Sequence, residues 1–344
     1  MTDNVSSVEE SNQKLTWFSA PGEGFGRIPE YPEAMHPAGP DANPTATETY
    51  WFTVNLPEQR LVGSFYLRIR QASGGCAAGA WFYRGVSADP LLIDHMNYHL
   101  SGQTPSLSDG KIAIPHVGLT IEILEPGRCW RLRYSSSDGT AEADLRCEAR
   151  SPVVMALSNE HFDQSMWVYG SIRLGSENIV VNAPGFRDRT WNAPRPEDKL
   201  DQPPLSYIYG MFDNGRSSFC IRGGDDPSKG VEWSDTFDLT AEQLFHGGWI
   251  YLNDELLTIK SMSKRTERDF TQKARPLSQT IAFEDSSGGH HKLVGKVVGA
   301  MYYQPWGNCG AWMSNTQWEL DGKYPGVGEI QELVWSRYAK SYWK

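Results

Sequence analysis

"RLVGSFYLRIR", residues 60–70, decides the fold class. Its second half, Tyr66-Leu67-Arg68-Ile69-Arg70, alternates apolar and charged side chains at period two, the pattern of a strand with one dry face. "CWRLRYS" (129–135) repeats it. Around these lie "TYWFTVNL" (49–56), "GAWFYRG" (79–85), "KIAIPH" (111–116) and "GLTIEIL" (118–124), short β-branched or aromatic runs set apart by Gly, Pro, Asp or Ser. The pattern resumes after "SPVVMALSNE" (151–160) and continues from "MWVYGSIRL" (166–174) to "EIQELVWSRY" (329–338). Only "SDTFDLTAEQLF" (234–245) reads as helix beyond about two turns. The expectation is an all-β chain of two antiparallel barrels or sandwiches in tandem. Residues 1–155 would hold an N-terminal arm plus the first, and residues 156–344 the second.

Composition narrows the function. A chain of 344 residues suits two domains, and 39% hydrophobic with 22% charged residues places it among globular proteins. The excess is aromatic: 13 Trp, 15 Tyr and 13 Phe favour β-structure and large apolar surfaces. A formal charge of −10, with no basic run, excludes nucleic acid as partner. The five cysteines show neither CxxC spacing nor a disulfide framework. The opening "MTDNVSSVEESNQK" has no apolar segment, which reads as no signal peptide and a cytoplasmic protein, and residues 1–16 read as a disordered tail. Residues 17–47, rich in Pro and Gly but carrying Trp17, Phe18, Phe25 and Tyr31, read as an arm laid over the body.

"GFRDRTWNAPRP" (185–196) concentrates two arginines, an aspartate and an indole. On a regular strand Phe186, Asp188 and Thr190 share one face, and Arg187, Arg189 and Trp191 the other. Asp188 can then be a carboxylic acid on an apolar wall, with the arginines behind it. If the strand is bulged, an Arg–Asp pair forms and the motif is a structural clamp. Elsewhere, Asp94, His95 and His99 in "DHMNYH" lack the helix and third ligand of a metal site. "GEGFGR" (22–27) has no flanking strand and helix for a nucleotide loop. Neither metal nor organic cofactor is expected. Asp225 and Asp226 in "GGDDPSKG" read as an exposed turn, and "HH" at 290–291 as a solvated one. Tyr207, Tyr209, Trp233 and Glu329 are candidate lining residues of the second barrel, with core packing as the alternative for each.

The stretch "HFDQSMWVYGSIRLGSENIVVNAPGFRDRTWN" (161–192) resembles the signature of the carotenoid 1,2-hydratase (hydroxyneurosporene synthase) and AttH-like group. There an H/R-x-E-Q-x-x-x-x-x-G strand leads into G-x-x-D-x-x-W-G. "ETYWF" (48–52) and "GVGEIQELVW" (326–335) are weaker echoes. The chain departs from the pattern at Asp163, where the group has Glu, and at Asn192, where it has Gly. The resemblance implies two lipocalin-like barrels, a large apolar isoprenoid-like substrate and proton delivery to an alkene without a cofactor. It marks Asp188 as the acid, with Arg187, Arg189 and Trp191 around it, and Asp163 among the substrate contacts. Such an acid must be kept protonated by apolar surroundings, and aromatic faces must steady the resulting cation. A pericyclase or isomerase of a polyene, and a non-catalytic carrier of a hydrophobic ligand, are the competing functions. The expected partners are a large hydrophobic small molecule and, peripherally, membrane lipid.

Overall fold

The structure, a computed structural model, describes residues 16–17, 33–36, 43–101, 105–155, 161–194, 202–212, 215–306 and 308–343. Of the expected tail only Thr16, in a short strand, is described; "GEGFGR" and Phe18, Phe25 and Tyr31 of the expected arm lie outside these residues. Two compact units emerge, Met1–Phe82 with Asp94–Arg195, and Tyr83–Ile93 with Pro196–Lys344. Both are antiparallel β-structure, and two short α-helices lie in the second unit.

In the first unit the strands are β1 (Thr16–Trp17), β2 (Ala46–Leu56), β3 (Leu61–Arg70), β4 (Cys76–Tyr83), β5 (Val86–Ser87, which belongs to the second unit) and β6 (His95–Ser101). They continue as β7 (Ser106–Ser108), β8 (Lys111–Ile114), β9 (Leu119–Glu125), β10 (Cys129–Ser135), β11 (Ala141–Ala149), β12 (Val154–Met155), β13 (His161–Leu174) and β14 (Glu177–Pro194). The main sheet runs β6-β4-β3-β2-β14-β13-β11-β10-β9-β8-β7. Its two edge strands are consecutive in the chain, so the sheet must curl. Side chains of β6 reach across the curl: His95 Nε2 and Asn97 Nδ2 each lie 2.6 Å from the Tyr134 hydroxyl. The result is a half-barrel. Its dry inner face is lined by Tyr50, Phe52, Phe65, Leu67, Trp130 and Leu132. Strand β2 is buried on both faces along its whole length.

In the second unit β15 (Leu205–Phe212), β16 (Ser217–Gly224), β17 (Phe245–Leu252), β18 (Glu255–Asp269), β19 (Arg275–Asp285), β20 (His290–Trp306), β21 (Cys309–Leu320) and β22 (Tyr324–Trp335) close into an eight-stranded barrel. The β19–β20 pairing completes the ring, and β5 adds in parallel to β20. Ile208, Ile221, Ile250, Ile281 and Ile330 fill the interior. The helices are α1 (Ala241–Leu244) and α2 (Ser336–Tyr342). The expected helix at 234–245 thus contracts to one turn, fixed by a capping box between Thr240 and Gln243. Helix α2 ends a stretch that reads as strand. Its Tyr338 packs with Trp233, Phe237 and Leu244.

The change from one sheet to the other comes after Pro194, not at residues 155–156. Strands β13 and β14 belong to the first sheet, because β14 pairs with β2 as well as with β13.

Candidate acid–base sites

Buried carboxyl groups adjoin aromatic rings on strand β14 and again on the second barrel, and the first place decides between the two readings of residues 185–196. Strand β14 alternates regularly from Gly185 to Thr190, and its register with β2 shifts only between Thr190 and Ala193. Gly185 is required for close pairing with β2, since a Cβ there would stand 2.4 Å from the Thr53 carbonyl oxygen. The inward face belongs to the arginines. Arg187 forms a two-pronged ion pair with Glu33, at 3.1 and 2.6 Å, and lies 3.7 Å over the Trp130 ring. Its Nε donates to Gln164 Oε1 at 2.9 Å. Arg189 pairs with Glu48 at 2.7 Å and sits 3.5 Å over Tyr50. Both arginines are fully buried. Glu33 and His36 lie in the described part of the expected arm. The Glu48 carboxylate accepts from the backbone N–H of His36 (2.9 Å), and the His36 ring stacks on Trp191 at 4.9 Å. The clamp is real, but its carboxylates are Glu33 and Glu48.

The other face of the same strands carries Asp188. Register places Asp188 opposite Asp163 on β13 and opposite Trp51 on β2, and Thr190 opposite His161. Directly opposed residues share a face, so these side chains form one row. His161 links it: its Nε2 lies 2.8 Å from Asp163 Oδ1, and its Nδ1 2.7 Å from Thr190 Oγ1. Asp163 is buried and Asp188 half-buried. Trp51 continues the row into a cluster of rings, 5.0 Å from Tyr66 and 5.2 Å from Trp81, with Tyr98 5.8 Å beyond Trp81. At Asn192 the backbone is left-handed, φ 53°. Asn tolerates that conformation better than most non-glycine residues; its Oδ1 accepts from Gln71 Nε2 (3.2 Å) and its backbone N–H donates to Gln71 Oε1 (3.0 Å).

The second place is on the second barrel. Glu329 on β22 lies opposite Tyr209 on β15, and its carboxyl accepts hydrogen bonds from the hydroxyls of Tyr209 and Tyr83 (3.0 Å from Tyr83). Burial pushes the Glu329 carboxyl up and the two phenols pull it partly back, leaving it at about 7. The neighbouring Gly328 permits the close approach, since a Cβ there would meet the Tyr209 carbonyl oxygen at 2.0 Å. Tyr207 shares the face, its ring 6.1 Å from that of Tyr209. Trp233 does not: it is core, packed beneath α2.

Two expectations need correction. Asp225 and Asp226 are not an exposed turn. Asp225 is wholly buried against Lys264 (2.8 Å) and Arg268 (2.7 Å), while Asp226 caps the turn at Pro227–Lys229 and accepts from Ser263. Burial alone would raise the Asp225 carboxyl, but Arg268 and then Lys264 hold it well below the usual range. His291 is not in a solvated turn. It lies on β20 and bridges Asp285 (2.9 Å) and Asp321 (3.0 Å). His95 and His99 sit on a strand, about 13 Å apart at strand rise, and among the described residues no group of His, Cys, Asp and Glu is arranged to hold a metal ion.

A family profile described as "Domain of unknown function (DUF7064)" matches residues 30–336. The chain belongs to the DUF7064 family. A search of curated protein sequences finds no match. Among solved structures, this DUF7064 chain is similar to a candidate AttH from Nitrosomonas europaea, with TM-score 0.56 and 12% identity over 90% of this chain and 100% of that one. It is also similar to kievitone hydratase from Nectria haematococca, with TM-score 0.52 and 11% identity over 92% and 96% of the two chains. At such identities the likeness is one of fold. It agrees, at the level of fold, with the AttH-like part of the resemblance read from residues 161–192.

Proposed function

We propose that this DUF7064 protein is a cofactor-independent hydratase or cyclase of a large apolar, isoprenoid-like substrate, started by proton transfer from Asp188 to an alkene. One observation carries the reading. The two arginines that flank Asp188 in sequence are engaged by Glu33 and Glu48 on the opposite face of the strand. Asp188 instead shares its face with Trp51 and Asp163. The alkene takes the proton at its less substituted carbon, leaving a tertiary cation. Water, or an internal alkene, then supplies the electron pair, and a proton is lost. Trp51 and the rings beside it offer faces that favour a cation by roughly 0.5–2 kcal/mol each. The fold shared with kievitone hydratase is consistent with such chemistry. With this reading go a hydrophobic small-molecule partner, peripheral contact with membrane lipid and a cytoplasmic location.

The test compares Asp188→Asn with Arg187→Met on a panel of acyclic isoprenoid alkenes and kievitone. Turnover in Asp188→Asn should fall by on the order of 10²–10⁴ while the melting temperature holds. Arg187→Met should instead melt early, because Glu33 loses its buried partner. An Asp188→Asn protein with wild-type turnover per folded molecule removes the acid from Asp188.

A further inference from the structure

We infer that Glu329, Tyr83 and Tyr209 form a second proton-transfer centre, on the outward face of the second barrel, whose phenols hydrogen-bond a carbonyl oxygen of the ligand. The inference takes from the reading above only the isoprenoid skeleton, and adds to it an oxygenated head group.

Ile208 and Ile330 point into the barrel, so their neighbours Tyr209 and Glu329 point outward. All three groups of the centre are nonetheless buried. Among the described residues no basic side chain pairs with Glu329. The flanking strands present Tyr209 and Asn315, and β4 ends in Tyr83, which counts to the second unit. Glu332, three residues along, points the other way and pairs with Arg268. No charge is available, then, to hold Glu329 ionised. Its carboxyl, at about 7, loses and gains its proton around neutrality. Burial, and after it the charge of Glu329, keeps the Tyr83 phenol protonated throughout.

Hydrogen-bond logic then gives the centre two states. With Glu329 ionised, both phenol O–H groups are spent on the carboxylate, and only lone pairs face a ligand. With Glu329 protonated, its own O–H donates to one phenol oxygen, and that phenol's hydrogen is released to donate outward. A ligand carbonyl accepts it. In full transfer the phenol's proton passes to the ligand oxygen as the carboxyl's proton replaces it, leaving carboxylate and an intact phenol. An independent observation points to the same ligand atom. Gln331, two residues along on the same face and opposite Tyr207, has a buried amide nitrogen with no hydrogen-bond partner among the described residues. A buried donor left without an acceptor is costly, and a ligand carbonyl would satisfy it.

The experiment uses the full chain and two probes: geranylacetone, an isoprenoid ketone, and the hydrocarbon with a methylene in place of its oxygen. Binding is read by tryptophan fluorescence at about pH 6 and about pH 8, either side of the Glu329 titration. Ketone affinity should be on the order of tenfold higher at the lower pH, with the hydrocarbon unchanged. Glu329→Gln, whose amide always donates to one phenol, should bind the ketone equally at both. Tyr83→Phe and Tyr209→Phe should lose the preference for ketone over hydrocarbon. Identical pH profiles for the two probes, or a pH dependence that survives in Glu329→Gln, would overturn the inference. Asp188→Asn should leave these binding profiles unchanged, so a failure of the acid assigned to Asp188 appears in turnover and a failure here appears in binding.

Discussion

Asp225 and Glu329 are both wholly buried carboxyl groups of the second unit, and the protein treats them in opposite ways. Asp225 meets two cations, Lys264 and Arg268, placed four residues apart on β18 so that both side chains enter the same end of the barrel. Glu329 meets two phenols. The first arrangement makes a permanent anion, the second a proton reservoir. Neither burial nor hydrogen bonding separates them, since both have each. Formal charge in the neighbourhood does.

Three measurements would break or sharpen that contrast. The largest effect belongs to Arg268→Met, which strips Asp225 and Glu332 of their shared cation; denaturant unfolding should show a loss of about 3–5 kcal/mol. A loss below about 1 kcal/mol would mean that these ion pairs are not what holds the barrel end together. Next comes the pH dependence of Glu329. Its folded value, about 7, lies above the ordinary 4.5, so the folded state holds a proton that the unfolded chain releases earlier. The stability it contributes is complete below pH 4.5 and is lost as pH rises through 7, a total of about 3 kcal/mol at roughly 1.4 kcal/mol per unit. Glu329→Gln should flatten that slope, and an unchanged slope in the variant would assign it to another group. Asp225 works in the reverse sense: its folded value is depressed, so its contribution is present above 3.8 and lost only in strong acid. The smallest effect is His291. Burial lowers its pKa, but hydrogen bonds to Asp321 and Asp285 outweigh this and raise it. Its contribution is present below 6.5 and lost as pH rises through the folded value. The site is largely solvent-screened, so His291→Gln should cost less than about 1 kcal/mol at low pH, and less still in high salt.

Local pattern carried the strands, and non-local pairing carried what local pattern missed. The alternation in "YLRIR" is the burial pattern of β3, and β11, "AEADLRCEA", has an equally clean alternation that could have been read from the same rule. The sheet boundary could not be read, because β14 is assigned by pairing with β2, and the paired residues Asp188 and Trp51 lie far apart in the chain. At residues 225–230 turn chemistry was legible, and a Pro-initiated turn closing on a left-handed Gly230 is present. Its burial was not, since Lys264 and Arg268 come from a strand that no short-range signal connects to it. The face alternation of Arg187, Asp188 and Arg189 followed from strand geometry alone. What engages the arginines did not: Glu33 lies 154 residues from Arg187, and Glu48 141 from Arg189. Glu329 was visible as a candidate, but Tyr83, 246 residues away, gave no sign of being its partner.

The segment Tyr83–Ile93 interrupts one unit and completes the other. On the ribosome this piece is made more than a hundred residues before Pro196, where the rest of its unit begins. The first sheet therefore assembles around a stretch that must wait, unsatisfied, for strand β20 to offer Val86 and Ser87 a partner and for Glu329 to offer Tyr83 one. Cutting the gene at residue 196 would not separate two self-sufficient halves. The later half would emerge without its parallel edge strand and without one of the two phenols on its buried acid, and only a peptide spanning residues 83–93, supplied in trans, would restore both.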